Sequence, residues 1–78
     1  MPHIEIYTTP TCHYCKMAKA FFQEKGLAYT EYDVQADLAR REEMLKKSGQ
    51  MGVPVIVIGN DLVIGFDQDK IEELVASA

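Results

Sequence analysis

The chain opens with two segments whose hydrophobic patterns differ. Residues His3–Tyr7 alternate apolar and polar side chains, which predicts a first strand. After a loop at Thr8–Thr11, the apolar residues of Cys12–Lys25 recur at helical spacing, which predicts a first helix. Gly26 suits the left-handed position just past its end. The apolar face of this helix is Tyr14, Met17, Ala18, Phe21 and Phe22.

The middle of the chain predicts a second strand and a second helix. Leu27–Val34 alternates aromatic and β-branched residues with polar ones, as strands do. Asp37 is a suitable N-cap for a helix over Leu38–Lys47, and Gly49 is suited to end it. The apolar stripe of this helix is thin, so we expect the helix to be largely exposed on one side. The stripe is Leu38, Met44 and Leu45.

The last third predicts a hairpin and a third helix. Pro54–Ile58, after a loop at Gln50–Val53, is a continuous apolar run that suits a strand covered on both faces. Gly59-Asn60 is a hairpin turn signal that leads to a partner strand at Leu62–Ile64.

Asp67 is placed to cap the last helix, with Phe66 and Ile71 at the two positions of a hydrophobic staple. The apolar face of that helix is Ile71, Leu74, Val75 and Ala78. The predicted order is therefore βαβαββα, and we expect a single α/β domain over residues 1–78.

Composition and charge narrow the function classes. The 78 residues are 47% hydrophobic and 26% charged, as in folded domains. A net charge of −4 without a basic run argues against nucleic-acid binding. No transmembrane run or signal-peptide pattern is present, so we expect a cytoplasmic protein without a membrane partner. We also expect a monomer.

The two cysteines, Cys12 and Cys15, stand between the first strand and the first helix. A helix N-terminus stabilises a thiolate through its unpaired N–H groups and its dipole. The spacing lets the second thiol close a small disulfide ring with the first. In a reducing compartment such a pair is more often catalytic or metal-binding than structural. The motif predicts a redox dithiol in which Cys12 attacks and Cys15 resolves.

Three motifs in the predicted βαβαββα order make the chain resemble the glutaredoxins of the thioredoxin-like superfamily, over its whole length. They are Pro10-Thr11-Cys12-x-Tyr14-Cys15, Val53-Pro54 and Gly65-Phe66-Asp67. The resemblance implies a thioredoxin-like fold with a central four-stranded mixed sheet flanked by helices. It also implies that the protein reduces protein or glutathione mixed disulfides.

The resemblance further implies a cis peptide bond before Pro54 and a Val53 backbone that pairs with an extended thiol substrate. From the residues alone, Pro54 fits the start of a strand equally well. Glutathione would be a co-substrate, and no cofactor would be tightly bound. The implied substrate- or glutathione-binding residues are Thr11, Tyr14, Arg41, Val53, Pro54, Gly65, Phe66 and Asp67.

Within that set, the resemblance places Arg41 at the glycine carboxylate of glutathione and Asp67 near its γ-glutamyl end. Tyr14 either walls the groove or packs on the core face. The chain also departs from the family. Thr9 stands where a lysine or arginine is common, Gly52 replaces the threonine before Val-Pro, and Ile64 replaces the first of two glycines.

Gly65-Phe66 resembles the small redoxins that donate electrons to ribonucleotide reductase and are reduced by thioredoxin reductase. The expected partners are therefore protein disulfide clients with either glutathione or thioredoxin reductase as the source of electrons. His13 replaces a proline that is usual between the cysteines. A protonated imidazole there would favour the Cys12 thiolate and make the couple more oxidising, unless the ring points to water.

Two other classes of function remain as alternatives at this point, namely metal or cluster binding and a purely structural disulfide. Soft thiolates suit Cu(I) and zinc, but small copper chaperones with this motif run βαββαβ. An iron–sulfur cluster would need a dimer and glutathione ligands, because two cysteines cannot fill four cluster sites. A purely structural disulfide is disfavoured, because a two-residue loop constrains the unfolded chain little. We therefore assign no metal ligands.

Overall fold

The computed structural model describes residues 3–76, which form one four-stranded sheet and three helices. The strands are β1 (Ile4–Thr8), β2 (Thr30–Asp33), β3 (Val55–Ile58) and β4 (Asp61–Ile64). The helices are α1 (His13–Glu24), α2 (Leu38–Ser48) and α3 (Gln68–Ala76). The order βαβαββα and the α/β class are confirmed. Within these residues, none of the helices is long and apolar enough to cross a membrane.

The sheet has the strand order β2-β1-β3-β4 and is mixed, as expected. β1 pairs parallel with β2 and antiparallel with β3, and β3 pairs antiparallel with β4. Near the end of β1, Tyr7 lies opposite Val55, and Val55 in turn lies opposite Ile64. The loop after β1, the loop before β3 and the loop after β4 therefore meet at the same edge of the sheet.

One face of the sheet is covered by α1 and α3. The buried side chains of this face form a cluster that is entirely apolar, and Leu27, Tyr29, Phe66, Leu74 and Val75 pack around it. Its members are Ile4, Ile6, Ala18, Phe21, Phe22, Ile56, Ile58, Val63 and Ile71. Burial of this apolar surface is the main source of stability on this face.

The opposite face is covered by α2 and is smaller. Tyr7, Val34, Met44 and Val55 are its buried residues. Because β3 contributes Val55 to this cluster and Ile56 and Ile58 to the other, the prediction that this strand is covered on both faces is confirmed.

A polar network ties α2 to the sheet above this smaller cluster. The Tyr7 hydroxyl donates to the Glu43 carboxylate and accepts from Lys47 Nζ at 3.2 Å. Arg40 binds the same carboxylate at 3.1 Å and stacks 4.1 Å from the ring centre of Tyr32. The bond from Tyr7 lowers the pKa of Glu43, helped by Lys47 and Arg40 and opposed by burial.

The helix ends follow the predicted signals. Leu27 N–H donates to Phe22 C=O at 2.8 Å around Gly26, whose φ is +68°, which ends α1. The side chain of Asp37 caps α2, and Gly49 ends it at φ +71°. The Asp67 carboxylate accepts the Lys70 N–H at 3.2 Å, which confirms it as the cap of α3. Ala78 lies outside the described residues.

Three details of the predicted pattern were wrong. The second strand does not begin at Leu27, because pairing with β1 starts only at Glu5 and Thr30. Of the α2 stripe, Met44 is buried, whereas Leu38 is 65% exposed and Leu45 is 42% exposed. On α1, Met17 is exposed as well, whereas the exposure of Tyr14 agrees with its expected position at the wall of the groove. Helical spacing identifies a shared face but not what covers that face, and residues 3–76 cover these side chains only in part.

Candidate active site

The loop after β1 leads to the cysteine pair at the start of α1. Cys12 and Cys15 are disulfide-bonded, and their Cα atoms are 5.2 Å apart. Cys12 is the N-cap of α1, and its sulfur accepts the Cys15 N–H at 3.1 Å. Cys12 is partly exposed, whereas Cys15 is 1% exposed. Cys12 is therefore the more accessible of the two cysteines, and its sulfur lies where the N–H groups of the helix stabilise a thiolate.

The loop that carries Cys12 is held to the end of β1 and to α1. The Cys12 N–H donates to the Thr9 carbonyl at 3.3 Å. The buried hydroxyl of Thr8 donates to the Glu31 carboxylate at 2.7 Å, and Lys19 of α1 pairs with the same carboxylate at 2.9 Å. Burial raises the pKa of Glu31, but the bonds from Lys19 and Thr8 outweigh it and hold this pKa below its ordinary value.

A cavity of about 350 Å³ borders the first turn of α1. Its lining includes six of the residues that the sequence singled out for substrate or glutathione. The lining residues are Tyr14, Val53, Pro54, Ile64, Gly65, Phe66 and Asp67. The loops before β3 and after β4 supply all of this lining except Tyr14 and Ile64. Neither Cys12 nor Cys15 lines this space, but Tyr14, which stands between them in the sequence, does, and we call the space the thiol cavity.

The loop before β3 presents its backbone to the thiol cavity. The Val53–Pro54 peptide bond is cis, as the resemblance implies. The Gly65 N–H donates to the Pro54 carbonyl at 2.8 Å, which joins this loop to the one after β4. Within residues 3–76, the backbone N–H and C=O of Val53 have no hydrogen-bond partner. The backbone of Val53 is thus available for an extended ligand.

The side chains of the thiol cavity are only partly buried. Tyr14 is 59% exposed, so the alternative that its ring packs into the core is wrong. Phe66 is half-buried and lies edge-on to Phe21, with ring centres 5.9 Å apart. Ile64, which the sequence analysis placed in a strand and noted as a departure from the family but not as a site residue, lines the cavity and is 53% exposed. The strand alternation with buried Val63 was the signal for its exposure.

Arg41 lies at a second cavity, of about 220 Å³, which we call the Arg41 cavity. Its lining residues are Thr9, Val34, Gln35, Arg41, Met44 and Met51. The structure therefore does not bring Arg41 into the thiol cavity, although Thr9 connects the Arg41 cavity to the loop that carries Cys12. Thr11 is exposed in that loop and lines neither cavity. Gln35 was missed, since nothing in its local sequence distinguishes it from other loop residues.

His13 occupies the first position of α1 and is exposed. Its ring lies edge-on to that of Tyr14, with the centres 5.7 Å apart. The effect of His13 on the Cys12 thiolate stays a prediction.

The fold has consequences for the metal-binding alternative. The observed element order differs from the βαββαβ order of the copper-chaperone hypothesis. In residues 3–76, no three His, Cys, Asp or Glu side chains are grouped to hold a metal ion.

A dithiol at a helix N-terminus beside a cis-proline loop, on a thioredoxin-like fold, defines a dithiol thiol–disulfide oxidoreductase. The sequence model of the family described as Glutaredoxin matches residues 4–63. The chain belongs to the glutaredoxin family.

Two relatives support this assignment. Glutaredoxin 3 of Escherichia coli K12 is 43% identical over 67 residues, which is 86% of this chain and 81% of the relative. An uncharacterized glutaredoxin-like 8.6 kDa protein in the rubredoxin operon of Clostridium pasteurianum is 40% identical over 72 residues, or 92% and 96% of the two chains.

Solved structures agree in fold. The glutaredoxin grx-1 of Archaeoglobus fulgidus superposes with a TM-score of 0.86 at 26% identity, covering 96% of this chain and 87% of that one. The glutaredoxin-like NrdH-redoxin of Escherichia coli, described as having a thioredoxin-like activity profile, superposes with a TM-score of 0.79 at 28% identity. The match covers 92% of this chain and 93% of the NrdH-redoxin.

Proposed function

We propose that Cys12 is the nucleophile and Cys15 the resolving thiol in the reduction of protein disulfides and glutathione mixed disulfides. The difference in exposure supports these roles, since Cys12 is accessible and Cys15 is 1% exposed. The thiolate is the reactive form of cysteine, and the N-terminus of α1 lowers the cost of forming it.

The reaction transfers two electrons. The Cys12 thiolate attacks one sulfur of the substrate disulfide, the substrate S–S bond breaks, and the leaving thiolate takes up a proton. Cys15 then loses its proton and attacks the Cys12 sulfur of the mixed disulfide. The second substrate thiolate leaves and is protonated, and the Cys12–Cys15 disulfide forms. The substrate has gained two electrons and two protons, and the protein is oxidised.

We propose that the substrate binds in the thiol cavity. An extended substrate segment pairs with the free backbone groups of Val53, as in the addition of a short strand. The cavity that receives this segment is lined by Tyr14, Pro54, Gly65 and Phe66, among others. A substrate held there lies next to the first turn of α1, and this proximity favours attack by Cys12.

We assign glutathione as the reductant, because the cytoplasm, where we place the protein, supplies it. Two glutathione molecules reduce the Cys12–Cys15 disulfide and leave as glutathione disulfide, so that the electrons balance. Asp67 at the thiol cavity offers a carboxylate to the ammonium of the γ-glutamyl end. Arg41 offers a guanidinium to the glycine carboxylate from the neighbouring cavity.

Reduction by thioredoxin reductase is the second candidate, in which the protein donates electrons to ribonucleotide reductase. Two observations favour it. Thr9, at the Arg41 cavity, stands where glutathione-using members of the family commonly have a lysine or arginine, and Gly65-Phe66, at the thiol cavity, resembles the small redoxins. The NrdH-redoxin similarity points in the same direction.

The experiment compares the two sources of electrons. Oxidised protein is mixed with NADPH, glutathione and glutathione reductase, or with NADPH and thioredoxin reductase, and NADPH consumption is followed. We expect rapid turnover with glutathione. Turnover with thioredoxin reductase alone would replace the first proposal by the second. Failure with both would refute both assignments of the donor.

A pair of cysteine variants tests the roles. Cys15→Ser should hold a glutathione or client mixed disulfide on Cys12, visible as an added mass that a reductant removes. Cys12→Ser should abolish disulfide reduction. Disulfide reductase activity in Cys12→Ser would show that the roles are assigned wrongly.

A further inference from the structure

Three exposed apolar side chains surround Arg41 on the flank of α2. Leu38 is 65% exposed, Leu45 is 42% exposed and Met51, just beyond the helix, is 44% exposed. Leu38, Arg41 and Leu45 lie within an arc of about 60° on the helix, at its geometry of ~3.6 residues per turn. We call Leu38, Arg41, Leu45 and Met51 the α2 surface. The α2 surface thus combines three exposed apolar side chains with one cation.

Arg41 and Lys46 are the two cations of α2 that make no salt bridge within residues 3–76, and of these two only Arg41 lines the Arg41 cavity. Arg40 and Lys47 both pair with Glu43, at 3.1 and 3.5 Å. Among residues 3–76, no carboxylate lies within salt-bridge distance of the Arg41 guanidinium. The α2 surface therefore offers an unpaired positive charge in an apolar setting, which complements a carboxylate with apolar neighbours.

The α2 surface is continuous with the redox site. Arg41 and Met51 line the Arg41 cavity together with Thr9, and the Thr9 carbonyl accepts the Cys12 N–H at 3.3 Å. Through Thr9, the Arg41 and Met51 part of the α2 surface is thus linked to the loop that carries Cys12, to which the cysteine of a client is bonded.

We propose that the α2 surface docks a segment of the protein client in which a carboxylate and apolar side chains flank the reacting cysteine. The carboxylate pairs with Arg41, and the apolar side chains cover Leu38, Leu45 and Met51. This inference rests on the proposed reduction of protein disulfides and adds a specificity to it.

The apolar part of the α2 surface distinguishes a protein client from glutathione. Glutathione has charged ends and a cysteine but no apolar side chain that would cover Leu38 or Leu45. Of the α2 surface, glutathione therefore contacts Arg41 at most. Replacing the two leucines should separate the two substrates, because it removes apolar contact area that only the longer substrate uses.

The probes are peptides of nine residues whose central cysteine is in a mixed disulfide with 2-mercaptoethanol, so that no glutathione competes with the peptide for Arg41. One peptide has leucine and glutamate on both sides of the cysteine, a second has lysine in place of glutamate, and a third has serine in place of leucine. The glutathione mixed disulfide of 2-mercaptoethanol is the small substrate. Second-order rate constants are measured with the reduced protein by quenching and mass analysis.

We expect the leucine–glutamate peptide to react faster than the other two. In the double variant Leu38→Ala with Leu45→Ala, its rate constant should fall about tenfold, while the small substrate keeps its rate. Arg41→Gln should remove the preference for glutamate over lysine. Lys46→Gln is the matched control, because Lys46 lies at a different depression of α2, beside Glu42 and Glu43. This control should change neither preference.

The possible outcomes distinguish a failure of the α2-surface proposal from a failure of the proposed disulfide reduction. Equal rates for the three peptides, or an equal loss on the small substrate in the leucine variant, would overturn the α2 surface alone. Reduction of no disulfide by the unmodified protein would overturn the proposed function together with it. A dimer in sedimentation that the leucine variant converts to a monomer would assign the surface to a second copy and overturn the client proposal.

Discussion

The two faces of the sheet are covered in different ways. Beneath α1 and α3, the residues described by the structure place nine buried side chains in one apolar cluster. Beneath α2 the corresponding cluster has four, and Met44 is the only buried side chain of that helix. There, a charged network from Tyr7 through Glu43 to Arg40 and Lys47 supplements the apolar contacts.

The difference in packing between the two faces corresponds to the part that each face contributes to the candidate active site. The helices on the larger face begin at the site, with Cys12 capping α1 and Asp67 capping α3. Their apolar packing holds both helix N-termini beside the thiol cavity. The helix on the smaller face contributes a flank with Arg41, and it is oriented by directional bonds instead of by a deep core. Four substitutions test this contrast, from the largest expected effect to the smallest.

Phe22→Ala removes a fully buried ring from the larger cluster. Because the cavity left behind collapses only partly, we expect the free energy of unfolding to fall by about 3–5 kcal/mol, measured by urea denaturation. Tyr14→Ala is the control, since this ring is 59% exposed. A loss below ~1 kcal/mol for Phe22→Ala would contradict the view that apolar burial holds this face.

Met44→Ala removes the only buried side chain of α2. The expected loss in the free energy of unfolding is about 2–4 kcal/mol, since one methionine is lost from a smaller cluster. Leu45→Ala is the matched control at the next position, where the side chain is 42% exposed. Equal losses in the two variants would show that Met44 does not anchor the helix.

Tyr7→Phe keeps the buried ring and deletes the hydroxyl that joins Glu43 and Lys47. Both partners keep other bonds, so unfolding at pH 7 should become easier by only about 1 kcal/mol. Burial, and next the bond to Glu43, raises the pKa of Tyr7. The native protein should therefore lose stability above pH ~10, where unfolded tyrosine ionises, and Tyr7→Phe should lose less. The same alkaline loss in both proteins would exclude Tyr7 as its source.

Glu43→Gln tests the charge of the network. The pKa of Glu43 is lowered in the folded protein, so its carboxylate adds stability above its ordinary pKa of about 4.3. This contribution is lost as the pH falls through the folded value. Urea unfolding at pH 7 and at pH 3 should show a smaller acid loss in Glu43→Gln than in the native protein. Glu24→Gln, at the far end of α1, should behave like the native protein.

The local sequence predicted most of the fold because each segment carried its own signal. Gly26, Gly49 and Asp37 stand where the chain needs a left-handed residue or a cap, and those needs are local. The second strand was placed too early, at Leu27, because its length depends on where its partner β1 begins. That is a property of pairing, which no local pattern contains.

The residues of the candidate site also fall into two groups, those recognised from local motifs and those placed only by the tertiary structure. Three motifs of the site could be recognised in the sequence, and the sheet register brings all three to one edge. They are the Cys-x-x-Cys at a helix start, Val53-Pro54 and Gly65-Phe66-Asp67. Arg41 was singled out as a candidate too, and the structure places it at a separate cavity. The role of Ile64 as a cavity wall appeared only once β4 was paired.

The sequence by itself therefore determined the order of the elements, their caps and the dithiol chemistry, since those depend on neighbours within a few residues. Only the tertiary structure decided which apolar side chains are buried. Tyr14, Met17, Leu38 and Leu45 have the spacing of core residues and are exposed. Burial depends on whether another element covers a face, and sheet order and helix placement set that cover through contacts distant in sequence.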